Sequence, residues 1–197
     1  MNVVARPLLA HDELPEGVGR RPWTADELLA MVHAGILRED DRIELIGGEV
    51  VTMSPKGTRH EVLRNELILY WADRRPKDVK FAEEAPLRLS PHDEPVPDII
   101  LFPASMYVSK VNGDNVLLVV EVADSSRSYD LEIKGPLYAA FGVREYWVID
   151  RKTLVTSVHR DPSPDGYRTI SDVAPAELLA PQAAPALAVR LADIKLD

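Results

Sequence analysis

A chain of 197 residues is long enough to bury one continuous core, and 46% hydrophobic with 28% charged residues is the balance of an ordinary globular protein. It has no cysteine, which excludes disulfides and thiolate zinc sites and suits a reducing cytoplasm. A net charge of −9 argues against tight non-specific duplex binding, and no stretch approaches the roughly 20 apolar residues of a membrane helix.

The first 21 residues read as a loose arm, too polar for a secretory signal, and residues 22–197 as a single domain. Thr24 and Glu27 form a capping box for the first helix, with Trp23 and Leu28 as its hydrophobic staple. Leu28, Leu29, Val32 and Ile36 make its apolar stripe, and Gly35 marks its end. A β-hairpin follows, with strands at 42–46 and 49–53 around Gly47-Gly48, a pair that tolerates positive φ. Ser54-Pro55-Lys56-Gly57 breaks the second strand. Thr58 with Glu61 reads as another capping box, opening a helix to about Ala72 with Val62, Leu63, Leu67 and Trp71 at helical spacing.

Beyond Pro76 the chain turns to strands at about 79–83, 86–89, 98–102 and 116–123. The last is nearly all apolar, as in a central strand covered on both faces. A helix over about 128–141 ends at Gly142, and Pro136 inside it predicts a kink or a lost hydrogen bond. Then come a buried strand at 145–150, a strand at 154–160 paired back to it, a loop at 161–166 and an edge strand at 167–173. The Ala/Pro-rich stretch 174–186 has no defined pattern, and 188–191 reads as a short strand. The expected class is α/β (α+β): a mixed β-sheet flanked by helices, with an N-terminal helix and hairpin.

Asp98 begins one apolar strand and Glu121 lies near the end of the most hydrophobic one. An ionised group there is costly unless it is paired or binds a cation. If the strands are neighbours, the two carboxylates meet, and a hard cation such as Mg²⁺ or Mn²⁺ is the natural species between them. Such a pair supports phosphodiester hydrolysis, and Lys134, in the following helix, could orient the water or offset developing charge. Blander readings stand beside this. Asp98 could cap a turn after Pro97, Glu121 could pair with an arginine such as Arg127, and Asp130 with Lys134 could be a surface i,i+4 pair. His60 alone would be a helix-start hydrogen bonder and Glu44 a solvated strand residue. Arg20, Arg21, Lys56, Arg59, Arg64, Arg74, Arg75 and Lys77 are the basic groups that could meet nucleic acid; singly they read as solvated surface charges.

The segments Ile43–Glu49, His60, Pro97-Asp98, Val120-Glu121-Val122, Tyr129-Asp130 through Lys134 to Tyr138, and Gly142–Trp147 resemble the Uma-type putative restriction endonuclease family, within the PD-(D/E)XK nuclease superfamily. The similarity spans about residues 22–195. It implies a restriction-endonuclease-like core, with Asp98 and Glu121 as metal-binding acids, Lys134 as the helix-borne lysine, and Glu44 and His60 as additional polar positions. The superfamily lysine usually lies two residues after the second acid, where this chain has Ala123, so Lys134 would replace it from another element. Family members commonly have Ser-Pro after the Glu-Val segment, and this chain has Asp124-Ser125.

The expected function is a Mg²⁺-dependent (or Mn²⁺-dependent) cytoplasmic endonuclease acting on nucleic acid, foremost DNA. A homodimer is a candidate assembly, by analogy with nucleases that pair to cut two strands. The competing readings are a catalytically degenerate nuclease-fold module that binds a protein or nucleic-acid partner, and a hydrolase of another phosphate ester.

Overall fold

The first helix of the computed structural model, which describes residues 19–53 and 55–196, starts at its capping box. The expected N-terminal arm lies outside the described residues as far as residue 18, as does Ser54. The chain divides into two compact units. One runs to Pro55 and takes in Pro86–Val96; the other comprises Lys56–Ala85 and Pro97 onward.

In the first unit, Glu27 N–H donates to Thr24 Oγ1 at 3.2 Å and Thr24 N–H to Glu27 Oε2 at 2.9 Å, so helix α1 (Ala25–His33) is reciprocally capped. Its buried stripe is narrower than the sequence suggests. Ala25 and Leu28 pack with Leu45, Trp23, Leu37 and Ile43, while Leu29 and Ile36 are exposed. Strands β1 (Ile43–Ile46) and β2 (Glu49–Thr52) pair across Gly47-Gly48, with Ile46 opposite Glu49. Gly48 has φ +78° and its backbone lies so close to Pro22 that a Cβ would come within 2.4 Å of the proline ring, which requires glycine twice over.

The strand expected at 86–89 is instead one arm of a tight loop. Leu87 N–H bonds to Pro95 O and Leu89 N–H to Asp93 O, both at 2.9 Å, but only isolated bridges form. Prolines at 86, 91 and 95 withhold the donors that a regular ladder needs. Asp93 fixes the loop's place in this unit by accepting from Gly47 N–H at 2.7 Å.

The second unit carries a six-stranded mixed sheet in the order β3 (Val79–Glu83), β4 (Ile99–Pro103), β5 (Leu118–Ala123), β6 (Glu145–Asp150), β7 (Thr156–Ser163) and β8 (Gly166–Val173). Only β5 and β6 run parallel. A parallel neighbour needs a crossover, and the chain between these two strands supplies helix α3 (Arg127–Tyr129), a π-turn (Asp130–Lys134) and helix α4 (Gly135–Ala140). The disturbance expected from Pro136 is realised here. The π-turn, with Gly135 N–H bonded to Asp130 O, precedes the proline, which then sits in the first turn of α4, where its missing N–H costs little.

Helix α2 (Thr58–Ala72) packs Leu63, Leu67 and Trp71 onto Ile99, Leu101, Val120, Val122 and Trp147. Its N-cap is Gly57, with no side-chain cap, so the capping box read at Thr58 is not formed; Thr58 is already helical, and Glu61 turns to Arg64 instead. The loop expected at 161–166 is also shorter. The β7–β8 ladder continues through Pro162 opposite Tyr167 and Ser163 opposite Gly166, with Asp161 at φ +57°. Residues 174–196 are not patternless in space: Leu179, Leu187, Val189 and Leu191 are buried in the main core, and Trp71 Nε1–H donates to Leu187 O at 2.8 Å. The short strand expected at 188–191 is a single bridge between Val189 and Leu179. Among the described residues no helix is long and apolar enough to cross a membrane.

The α4 side of this unit is lined by a run of rings: Tyr138–Tyr146 at 4.9 Å, Tyr146–His159 at 5.4 Å and His159–Tyr167 at 5.6 Å between centroids. His159 is buried with Nε2 unpartnered, and burial holds its imidazole below the ordinary 6.5, only partly opposed by the Asp172 charge. The unfolded chain therefore takes up the proton first, so this contribution to stability is complete above about pH 6.5 and is lost as pH falls through the lower folded value. Between pH 7.5 and 5 the urea midpoint should fall more steeply for the wild type than for His159→Phe, which keeps the ring packing without the titration. Parallel midpoints for the two proteins would contradict this.

Candidate active site

The β4–β5 register sets Ile99 opposite Val120, so the next antiparallel positions outward are Asp98 and Glu121. The two acids therefore meet at one end of the sheet, as expected if their strands are neighbours. Glu121 Oε2 accepts from Asp98 N–H at 3.3 Å, and Asp98 Oδ2 accepts from Val122 N–H at 2.7 Å. Each carboxylate is thus clamped to the backbone of the other's strand. Asp98 and Glu121 are only 2% and 4% exposed, so both charges have lost nearly all their water and need partners.

Partners for Glu121 come from the crossover. Lys134 Nζ, itself buried, donates to Glu121 Oε1 at 2.8 Å, and Tyr138 Oη donates to the same oxygen at 3.3 Å. Lys134 closes the π-turn and Tyr138 lies one turn on in α4. Asp130 and Lys134 are both buried, which removes the reading of a solvated surface pair; nor does Glu121 pair with Arg127, whose guanidinium lies 3.8 Å from Asp150.

Asp98 is served by α2 and the segment before it. His60 Nε2 lies 3.0 Å from Asp98 Oδ2; an ionised carboxylate only accepts, so Nε2 is the protonated nitrogen. His60 Nδ1 is 3.5 Å from Glu61 Oε1, too long for a hydrogen bond. Lys56 Nζ pairs closely with Asp98 Oδ1 and donates to Glu84 Oε1 at 2.7 Å. Burial pushes the Asp98 carboxyl up, but hydrogen bond and charge from His60, then charge and hydrogen bond from Lys56, outweigh it and hold the group well below the usual carboxylate range. Lys56 is drawn down by burial and more strongly up by Asp98 and Glu84, and stays charged.

Lys56 and Tyr138 are the residues that sequence reasoning did not place here. Tyr138 had a usable signal, since it follows Lys134 by one helical turn. Lys56 had none beyond lying four residues before His60. Several of the basic groups considered for nucleic acid also have protein partners. Arg64 is buried among Glu61, Glu83 and Glu84, with the last at 3.0 Å. Arg20 pairs with Glu49, Arg21 with Glu27, and Arg74 stacks over Tyr70 at 3.8 Å.

Glu44 belongs to the first unit. It is buried rather than solvated, and its Oε1 accepts from Val96 N–H at 2.8 Å.

Among the described residues no three or more His, Asp or Glu side chains are grouped as a ready-made metal cage. Two adjacent carboxylates nevertheless fit Mg²⁺ or Mn²⁺. Mg²⁺ is usually held by one or two carboxylates, and water and substrate phosphate oxygens complete its shell. A zinc site of nitrogen and sulfur ligands does not fit this donor set.

The fold is a mixed α/β one, a six-stranded mixed sheet flanked by helices. The crystal structure of a putative nuclease belonging to DUF820 from Anabaena variabilis has this fold: TM-score 0.69 at 18% identity, covering 88% of this chain and 97% of that one. The Uma2 family, described as putative restriction endonuclease, matches residues 25–192, and the chain belongs to that family. No curated protein matches it.

Proposed function

We propose that the protein is a divalent-metal-dependent endonuclease acting on phosphodiester bonds, foremost those of DNA. The observation that carries this is the meeting of Asp98 and Glu121 at paired strand ends, with Lys134 on one acid and His60 on the other. Asp98 and Glu121 would hold Mg²⁺ or Mn²⁺, which when bound lowers the pKa of water and offsets charge on the phosphorus-centred transition state.

The protein's own groups do the rest. Lys134 holds an ammonium at Glu121 Oε1, where it can orient the attacking water or neutralise charge as it develops. Tyr138 fixes the same oxygen and so narrows the positions Glu121 can take. His60 carries a proton on Nε2 toward Asp98, which keeps that carboxylate ionised and oriented. Glu44 would tune the site, a role that rests on the family resemblance alone. A homodimer is the assembly adopted by analogy with double-strand cutters.

The test is cleavage of supercoiled plasmid with Mg²⁺, with EDTA, and with Mg²⁺ restored. Cleavage should vanish in EDTA and return with the metal. A folded protein that cuts neither plasmid nor single-stranded nucleic acid under any of these conditions would favour the other reading, a degenerate nuclease fold acting as a binding module. One observation supports that alternative: both acids already carry lysine counter-ions, in a chain of net charge −9.

A further inference from the structure

Lys56 has a position that the proposed reaction does not use. Its ammonium stands on Asp98 Oδ1, while the other Asp98 oxygen is committed to His60 and to the Val122 N–H. Among the described residues Oδ1 accepts from Lys56 alone, so it is the Asp98 oxygen for which a divalent cation would compete with the lysine. Lys56 is also held from the far side. Glu84 Oε1 accepts from it at 2.7 Å, and the Glu84 backbone is fixed by its own N–H bond to Asp98 O at 3.2 Å. Glu84, just past the end of β3, is partly open to solvent, whereas the Lys56 side chain is only 12% exposed. The ammonium thus has two seats side by side, one buried on Asp98 and one wetter on Glu84.

We propose that Lys56 is a displaceable internal counter-ion of the site: it occupies the Asp98 oxygen until a divalent cation takes that place, and then remains tethered to Glu84. This rests on the metal-site reading above and adds a mechanism by which the chain sets its own metal requirement. A divalent ion entering beside Asp98 meets a positive charge that must leave first, so affinity is weakened by the competition and by repulsion. Held on Glu84, the ammonium would stay close enough to the site to meet a substrate phosphate as a point charge.

The experiment is calorimetric titration of the full chain with Mn²⁺ at fixed ionic strength, for wild type, Lys56→Met, Asp98→Asn and a charge-matched control, Lys152→Met, whose ammonium faces Asp124. Lys56→Met should bind Mn²⁺ about tenfold more tightly than wild type, the size expected for one nearby charge at intermediate dielectric. Lys152→Met should stay within about twofold, and Asp98→Asn should abolish the isotherm.

A second readout needs no variant. Limited acetylation of the wild type, followed by mass spectrometry, should modify Lys56 several-fold faster with Mn²⁺ bound, because its ammonium leaves the buried seat. This covers the case in which Lys56→Met does not fold. Equal Mn²⁺ affinity in Lys56→Met and wild type, or unchanged Lys56 acetylation on metal binding, overturns the counter-ion role while leaving the metal site standing. Absence of any Mn²⁺ binding in both proteins overturns the metal reading itself, and the counter-ion role with it.

Discussion

Replacing Lys134 with methionine should destabilise the protein by about 3–5 kcal/mol, the cost of stripping one partner from a buried ion pair. The side chain is 3% exposed and its ammonium lies 2.8 Å from a Glu121 oxygen that is equally dry. Methionine fills nearly the same volume, so packing changes little and the loss reports charge. The Glu121 carboxylate would keep donors such as the Tyr138 hydroxyl and the Asp98 N–H, but neutral donors do not replace a cation beside a desolvated anion.

The same reasoning fixes the sign of a rescue. Adding Glu121→Gln to Lys134→Met removes the stranded charge, keeps an oxygen for the backbone donor, and should recover about 1–3 kcal/mol of the loss. Urea unfolding of the wild type, both single variants and the double variant measures all four corners of this cycle. A Lys134→Met protein within about 0.5 kcal/mol of wild type would show that the pair is solvated, and its proposed role at the reaction centre would lose its structural basis.

The legibility of this pair in the sequence has a physical explanation. Charged residues inside apolar strands are conspicuous because their burial is expensive, so Asp98 and Glu121 could be singled out before any geometry was known. Their adjacency follows from β4 and β5 being antiparallel neighbours, which the apolar runs suggest but do not fix. The Gly47-Gly48 turn and the Thr24–Glu27 box were equally legible, because each depends on residues within four positions of one another. What could not be read depends on distant partners. Thr58 and Glu61 match a capping box in spacing, yet Glu61 is drawn to Arg64, and the helix starts one residue earlier on Gly57. Lys56 looks like a loop lysine until Asp98 and Glu84, 42 and 28 residues away, supply its partners. The stretch 174–186 has no periodicity because it is not a regular element. It is held by single apolar anchors such as Leu179 and, just beyond the stretch, Leu187.

Asp98→Asn should reduce metal-stimulated cleavage by about a thousandfold or more, the scale of losing a principal electrostatic group at a reaction centre. The substitution is nearly isosteric, and its carbonyl oxygen can still accept from the Val122 N–H. With that oxygen also kept on His60 Nε2–H, the amide nitrogen must face Lys56, itself a donor, so a smaller stability loss of about 1–3 kcal/mol should accompany it. The two effects are separable. Assays run at 25 °C, well below the unfolding transition of the variant, read chemistry alone, and circular dichroism before and after each assay checks that the chain is intact. The Asp98 carboxylate is held well below its usual range by His60 and Lys56 despite burial, so it stays ionised at any pH at which the wild type is assayed. The deficit of Asp98→Asn should therefore be the same from pH 6 to pH 9. A deficit confined to one end of that range would mean that a different group controls the reaction. Undiminished cleavage in a folded Asp98→Asn protein would leave the paired strand ends without a catalytic purpose, and the lysines on either side would then be what keeps two buried acids tolerable in a binding fold.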